Sequence, residues 1–181
     1  MQFHILILIL KEVEFVVIVI IGPMGCGKST IGILLAQRLG YHFEDADDFH
    51  PPENVKKMSA GIPLEDEDRF GWLTILHKRI IDHGRQGKNL ILACSALKQS
   101  YRDILGIDQK QVISVYLKGS FSLLQQRLKG RDHQYMNDDL LTSQVNSMEE
   151  PDDGIIVDIS QSPEQITAEI IKQLEQKERS L

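Results

Sequence analysis

The 181-residue chain carries 20 Lys+Arg against 26 Asp+Glu, a formal charge of −6, and two cysteines. That length suits one domain with a real core and is short for two full-sized ones, while the acidic balance argues against a general nucleic-acid binder. Cys26 and Cys94 have neither metal-ligand spacing nor a disulfide-framework pattern, so a reducing, cytoplasmic setting is expected.

Two apolar runs, Ile5 to Leu10 and Phe15 to Ile21, are separated by Lys11, Glu12 and Glu14. Neither reaches the roughly 18 residues of a spanning helix, and no basic leader precedes the first, so no membrane partner is expected. The second run reads as the first core strand. Residues 1–13 read as an extension or an extra edge strand ahead of a domain over 14–181.

That strand runs into Gly22-Pro23-Met24-Gly25-Cys26-Gly27-Lys28-Ser29, then Thr30, which fits Gly-x-x-x-x-Gly-Lys-Ser/Thr. Ile31, Leu34, Leu35 and Leu39 follow at helical spacing. Strand, glycine loop and helix in this order make a phosphate cradle: the glycines let successive N–H groups converge on an anion, and the helix aims its positive end at the same place. Gly22, Gly25, Cys26, Gly27, Lys28, Ser29 and Thr30 are therefore the candidate ATP-binding residues. Lys28 is suited to the β/γ-phosphates and Ser29 to Mg²⁺.

Gly40 is a natural helix stop, and Tyr41 to Asp45 alternates like a short strand. Asp45, Asp47 and Asp48 then leave its carboxyl end, ahead of a helix opened by Pro51 or Pro52 and ended by Gly61 and Pro63. Ligands of such sheets bind outside the carboxyl ends of the strands. Asp47 is the expected proton acceptor or magnesium-linked carboxylate, because two-residue alternation carries it into the cleft on the side of Asp45; helix capping suits Asp48 better. His50, Asn54 and Lys57, at i, i+4 and i+7, share a face suited to a polyhydroxylated acceptor, although a solvated face has the same pattern.

From Asp66, read as an N-cap, a longer helix turns Trp72, Leu73, Leu76, Ile80 and Ile81 toward the core, with Arg69 as a candidate cation in its first turn. Asn89 to Cys94 is a strand, and Lys98 and Arg102, four apart on the next short helix, form a candidate anion site. Gln111 to Leu117 is a strand and Ser120 to Lys129 a helix. A polar loop and a helix from Asp138 to Met148 complete the pattern of a mobile lid near 129–138. On its border Arg127 is expected to stabilise the transferring phosphoryl group and Arg131 to bind the nucleotide. Ile155 to Ile159 is the last strand, with no catalytic role for Asp158. Ser162-Pro163-Glu164-Gln165 is a capping box before a helix burying Ile166, Ile170, Ile171 and Leu174. This alternation predicts an α/β fold with a mainly parallel five-stranded sheet covered on both faces.

The phosphate loop, the run Asp45 to Asn54 with Lys57-Met58, Gly61-Ile62-Pro63-Leu64 with Asp66, Asp68-Arg69 and Trp72-Leu73, and Cys94 to Lys98 with Tyr101-Arg102-Asp103 together resemble gluconokinase of the small P-loop type, a relative of shikimate kinase and the nucleoside monophosphate kinases. The resemblance covers about residues 16 to 175. It implies a three-layer α/β/α P-loop kinase fold and ATP- and Mg²⁺-dependent phosphorylation of D-gluconate at its terminal hydroxyl. The product, 6-phospho-D-gluconate, can enter the pentose phosphate pathway. It also suggests a homodimer. His50, Asn54, Lys57, Arg69, Lys98 and Arg102 supply the imidazole, amide and cationic groups such an acceptor needs, and Ser29 with Asp47 the metal-linked oxygens. The chain departs from the family at His133-Gln134-Tyr135, where Gly-His-Phe is usual, and at Glu65 and Gly71, where asparagine and proline are common. A kinase for shikimate or a nucleoside monophosphate is the alternative enzyme. A non-catalytic ATP-binding module is the alternative of another class, and intact Lys28, Ser29 and Asp47 argue against it.

Overall fold

The structure, a computed structural model, describes residues 15–129 and 138–179. Five strands, β1 (Val17–Ile21), β2 (His42–Asp45), β3 (Leu90–Ala93), β4 (Val112–Lys118) and β5 (Ile155–Asp158), pair in the order β2-β3-β1-β4-β5. Every pairing is parallel. The helices are α1 (Lys28–Leu39), α2 (Pro52–Ser59), α3 (Asp66–Arg85), α4 (Gln99–Leu105), α5 (Phe121–Lys129), α6 (Asp138–Ser147) and α7 (Pro163–Glu178), with a 3₁₀ turn over Ala46–Phe49.

Central β1 is buried along its whole length, and its alternation divides the core in two. Ile18 and Ile20 join Ile31 and Leu35 of α1 and Ile166 and Ile170 of α7. Val17, Val19 and Ile21 face the other way, onto Trp72, Leu73, Leu76 and Ile80 of α3 and Leu105 of α4. Two helical layers enclosing a parallel sheet are the three-layer arrangement that β-branched strands without a polar face require. Gly40 ends α1 in the left-handed region, φ 70°, with its N–H returned to the Ala36 carbonyl. Pro52 opens α2, and the Ser162/Gln165 capping box opens α7.

Two local expectations change. The α3 cap is Glu65, whose N–H donates to the Asp68 carboxylate at 3.0 Å, so Asp66 is the first helical residue and its carboxylate is released for other partners. Ile81 is 36% exposed, because one residue past Ile80 the helix has turned about 100° away from the core.

Edge strand β2 is fastened to α3 by charge. Glu44, buried, takes Arg79 Nε at 2.6 Å and a second guanidinium bond from Nη2. His42 and His83 stand 3.6 and 3.7 Å from the same carboxylate. Burial opposes the charge on Glu44, but Arg79 and the two imidazoles outweigh it and hold the carboxyl below its usual range. Among the described residues this is the grouping of His and carboxylate donors closest to a metal-binding set. Arg79 already provides its positive charge.

The 3₁₀ turn after β2 is fixed from behind. The Trp72 indole N–H donates to the Ala46 carbonyl at 2.7 Å, and the His50 ring stacks on the indole, centroids 4.1 Å apart. Trp72→Phe keeps an aromatic ring but removes the indole donor from the buried Ala46 carbonyl, so it should cost about 0.5–1.5 kcal/mol. Urea unfolding followed by circular dichroism checks this, since the variant has no tryptophan to report; an unchanged midpoint would contradict it.

Candidate active site

The loops after β1, β2 and β3 meet at one end of the sheet, around a cavity of about 280 Å³. Gly25, Gly27, Lys28, Ser29 and Thr30 line it from the phosphate loop. Gly25 has φ +80°, and a Cβ there would lie 3.1 Å from the Leu124 carbonyl, so the loop can pass over α5 only with glycine. The Lys28 ammonium spans its own loop and donates to the carbonyls of Gly22 at 3.0 Å and Pro23 at 3.2 Å.

Opposite stand the carboxylates of the β2 end. Ser29 Oγ donates to Asp45 Oδ2 at 2.6 Å, and the other oxygen of Asp45 accepts from the Asp47 backbone N–H at 3.1 Å. The carboxylate that meets Ser29 is therefore that of Asp45, not Asp47. The cause is the 3₁₀ turn: strand alternation stops at Asp45, which caps the turn and leaves Asp47 to project separately. A hydroxyl and a carboxylate oxygen brought this close form the hard-oxygen donor set that suits Mg²⁺.

Asp47 has its side chain 84% exposed to the cleft. Protein around it thins its hydration, Asp45 and Asp48 add negative charge, and the result lies above the usual carboxylate range despite Lys28 and Arg69. His50 lies behind it, its side chain 3% exposed and Nε2 3.7 Å from Asp47 Oδ1. Burial, aided by Arg69, lowers the imidazole to about 4, so His50 is neutral near pH 7. Arg69 lines the cavity, donates through Nε to the Leu64 carbonyl at 3.3 Å, and has no carboxylate within ion-pair distance among the described residues. Ser95, following β3, lines the cavity beside them.

The family model for shikimate kinase matches residues 24–175. A probable gluconokinase of Mus musculus is 40% identical over 178 residues, covering 87% of this chain and 97% of its own length. The gluconokinase of Gluconobacter oxydans is 39% identical over 158 residues, 86% of this chain and 89% of that one. The chain belongs to the gluconokinase family. Its fold is that of a solved gluconokinase from Sinorhizobium meliloti, with TM-score 0.81 at 35% identity over 92% of this chain and 94% of the other. This family member is a P-loop phosphotransferase by both measures.

Of the residues singled out by sequence, Lys28, Asp47, His50 and Arg69 converge on the cavity with the phosphate loop. Others do not. Gly22 and Cys26 form the underside of the loop, and burial pushes the Cys26 thiol up. Arg127 also lies on that underside, donating to the Cys26 carbonyl at 3.2 Å and the Ile159 carbonyl at 2.5 Å, so it ties the phosphate loop to the end of β5. Asn54 is buried and donates to the Asp68 carbonyl at 2.8 Å, and Lys57 pairs with the Asp68 carboxylate at 2.7 and 2.8 Å. Their shared face binds α3, not the cleft. Lys98 lines an adjoining cavity of about 370 Å³ and is held by Asp66 at 2.7 and 2.9 Å. Arg102 is 3% exposed and spends its guanidinium on the carbonyls of Ala96, Leu97 and Glu149 and on Gln99. Arg131 and residues 1–13 lie outside the described residues, as does most of the lid segment.

Ser95 and Gln144 line the cleft without being singled out by sequence, and Asp45, named there beside Asp47, is given no role of its own. The place of Asp45, as the last residue of a strand pointing at the phosphate loop, is the signal for its role; no local signal marks Ser95 or Gln144.

The neutral state of His50 gives stability a pH dependence. The unfolded imidazole takes a proton near pH 6.5 and the folded one only near 4, so its contribution is complete above 6.5 and is lost as pH falls toward 4. Urea midpoints from pH 7 to 4.5 should fall more steeply for the native chain than for His50→Asn. Equal slopes would contradict this.

Proposed function

We propose that this chain transfers the γ-phosphoryl group of ATP to the terminal hydroxyl of D-gluconate, giving 6-phospho-D-gluconate and ADP. The observation that carries the reading is the convergence of a phosphate loop, an exposed carboxylate and, outside that loop, a guanidinium with no carboxylate partner among the described residues on a single small cavity, in a chain of the gluconokinase family. Lys28, the loop N–H groups and the N-terminus of α1 hold the donor's phosphates. Arg69 receives the acceptor's carboxylate, since Lys57, Lys98 and Arg102 are committed elsewhere. Asp47 takes the proton of the attacking hydroxyl while its oxygen bonds to phosphorus and the β–γ bridging oxygen departs with ADP. Ser29 and Asp45 would hold Mg²⁺, which neutralises charge on the phosphate oxygens when bound. The product is that of a carbohydrate kinase feeding the pentose phosphate pathway, and the cytoplasm is its expected compartment. No helix among the described residues is long and apolar enough to cross a membrane.

The shikimate kinase description of the matching family model makes other acceptors the reading to test against. ADP release should depend on gluconate and not on shikimate or nucleoside monophosphates; no gluconate-dependent turnover from folded protein overturns the proposal. Lys28→Ala should lower kcat by roughly 10²–10³-fold. Asp47→Asn should lower it by roughly 10²–10⁴-fold with the ATP KM little changed, and a variant with native kcat would remove Asp47 from proton transfer.

A further inference from the structure

Gln144 lies on α6, 120 residues from the phosphate loop in sequence, yet its side-chain Oε1 accepts from the Met24 backbone N–H at 2.8 Å. A backbone N–H only donates, so the amide oxygen must face Met24, and the orientation of the carboxamide is fixed by chemistry. Its NH₂ group, with two donors, has no hydrogen-bond partner among the described residues. Gln144 lines the cavity shared with Lys28, Asp47 and Arg69, and with Leu140, one turn earlier, it also lines the adjoining cavity. Arg69 is the one charged side chain common to both. An acceptor whose carboxylate lies on Arg69 and whose reacting end lies at Asp47 therefore passes α6 at this position.

We propose that Gln144 is a specificity-determining residue: its amide oxygen is anchored on the phosphate loop, and its NH₂ group donates to one of the acceptor's non-reacting hydroxyls. This deepens the gluconate reading and rests on it. The anchor indexes the acceptor to the same loop that holds the donor, so one side chain sets the distance between the two substrates. A site that hydrogen-bonds a particular hydroxyl discriminates against acceptors lacking it, because the buried donor is then left unpaired.

The test uses the full-length enzyme with gluconate and a set of monodeoxygluconates, each lacking one non-reacting hydroxyl, for the wild type and for Gln144→Met. In the wild type, one analogue should lose roughly three- to tenfold in kcat/KM beyond the others. With Gln144→Met, gluconate should fall to the level of that analogue, and the analogue's own penalty should vanish. A purely structural link between α6 and the loop would slow all acceptors alike and leave the pattern of penalties intact, which overturns the proposal. If Gln144→Met does not melt cooperatively, Gln144→Asn, too short to bridge to Met24 and the acceptor together, should show the same loss of pattern. A wild type that ignores gluconate overturns the function; an active wild type whose deoxy penalties survive in both variants overturns the role of Gln144 alone.

Discussion

The cleft depends on one constraint of sheet topology: β3 lies between β2 and β1. Adjacent strands are about 4.8 Å apart, so the ends of β1 and β2 are separated by roughly 10 Å. That gap allows the phosphate loop and the acidic turn to face each other with room for reacting groups. The small residues at the end of β3 and just after it pass beneath it, and of these Ser95 reaches the cavity. The Gly22 N–H reaches across to the Ser95 carbonyl at 3.2 Å, and Ser29 to Asp45 at 2.6 Å. These two bonds close the separation that the order of strands opens. Were β2 beside β1, Asp45 would crowd the loop that holds the phosphates.

The second half of the site is a matter of which charges have already been used. Four basic side chains approach the acceptor side in sequence, Lys57, Arg69, Lys98 and Arg102, and three are taken by the fold. Lys57 joins α2 to Asp68. Lys98 joins the start of α4 to Asp66, which also accepts from the Tyr101 hydroxyl at 2.5 Å. Arg102 holds the segment after α6 through Glu149. Asp66 and Asp68 thus use up the nearby lysines, and Arg69, which follows them, remains as the one of these four that lines the cavity. A carboxylate entering this cavity would meet a guanidinium, whose planar fork fits it better than an ammonium would.

This explains which parts were legible in the sequence. The strand and helix order, the phosphate loop, the αL stop at Gly40 and the Ser162 capping box all depend on neighbours within a few residues, so spacing alone carries them. The pairing of Ser29 with Asp45 and not Asp47 was not legible, because strand alternation was extended through Asp45, whereas that side chain turns back onto the Asp47 N–H and starts a 3₁₀ turn. Arg102 and Asn54 failed for a different reason: i, i+4 spacing says which residues share a helix face, but not whether that face meets solvent, substrate or another helix. The link from Gln144 to Met24 spans 120 positions, and no pattern within α6 announces it.

Trp72, the only tryptophan in the chain, has a consequence beyond packing. It is 1% exposed and stacks on His50, whose opposite side belongs to the cleft. All indole emission therefore originates from one dry residue a single ring away from the cavity, with the phosphate loop on the far side of β3. The protein thus carries a built-in optical reporter of the His50 side of its cleft, and any ligand that settles there changes the surroundings of the one indole without a label.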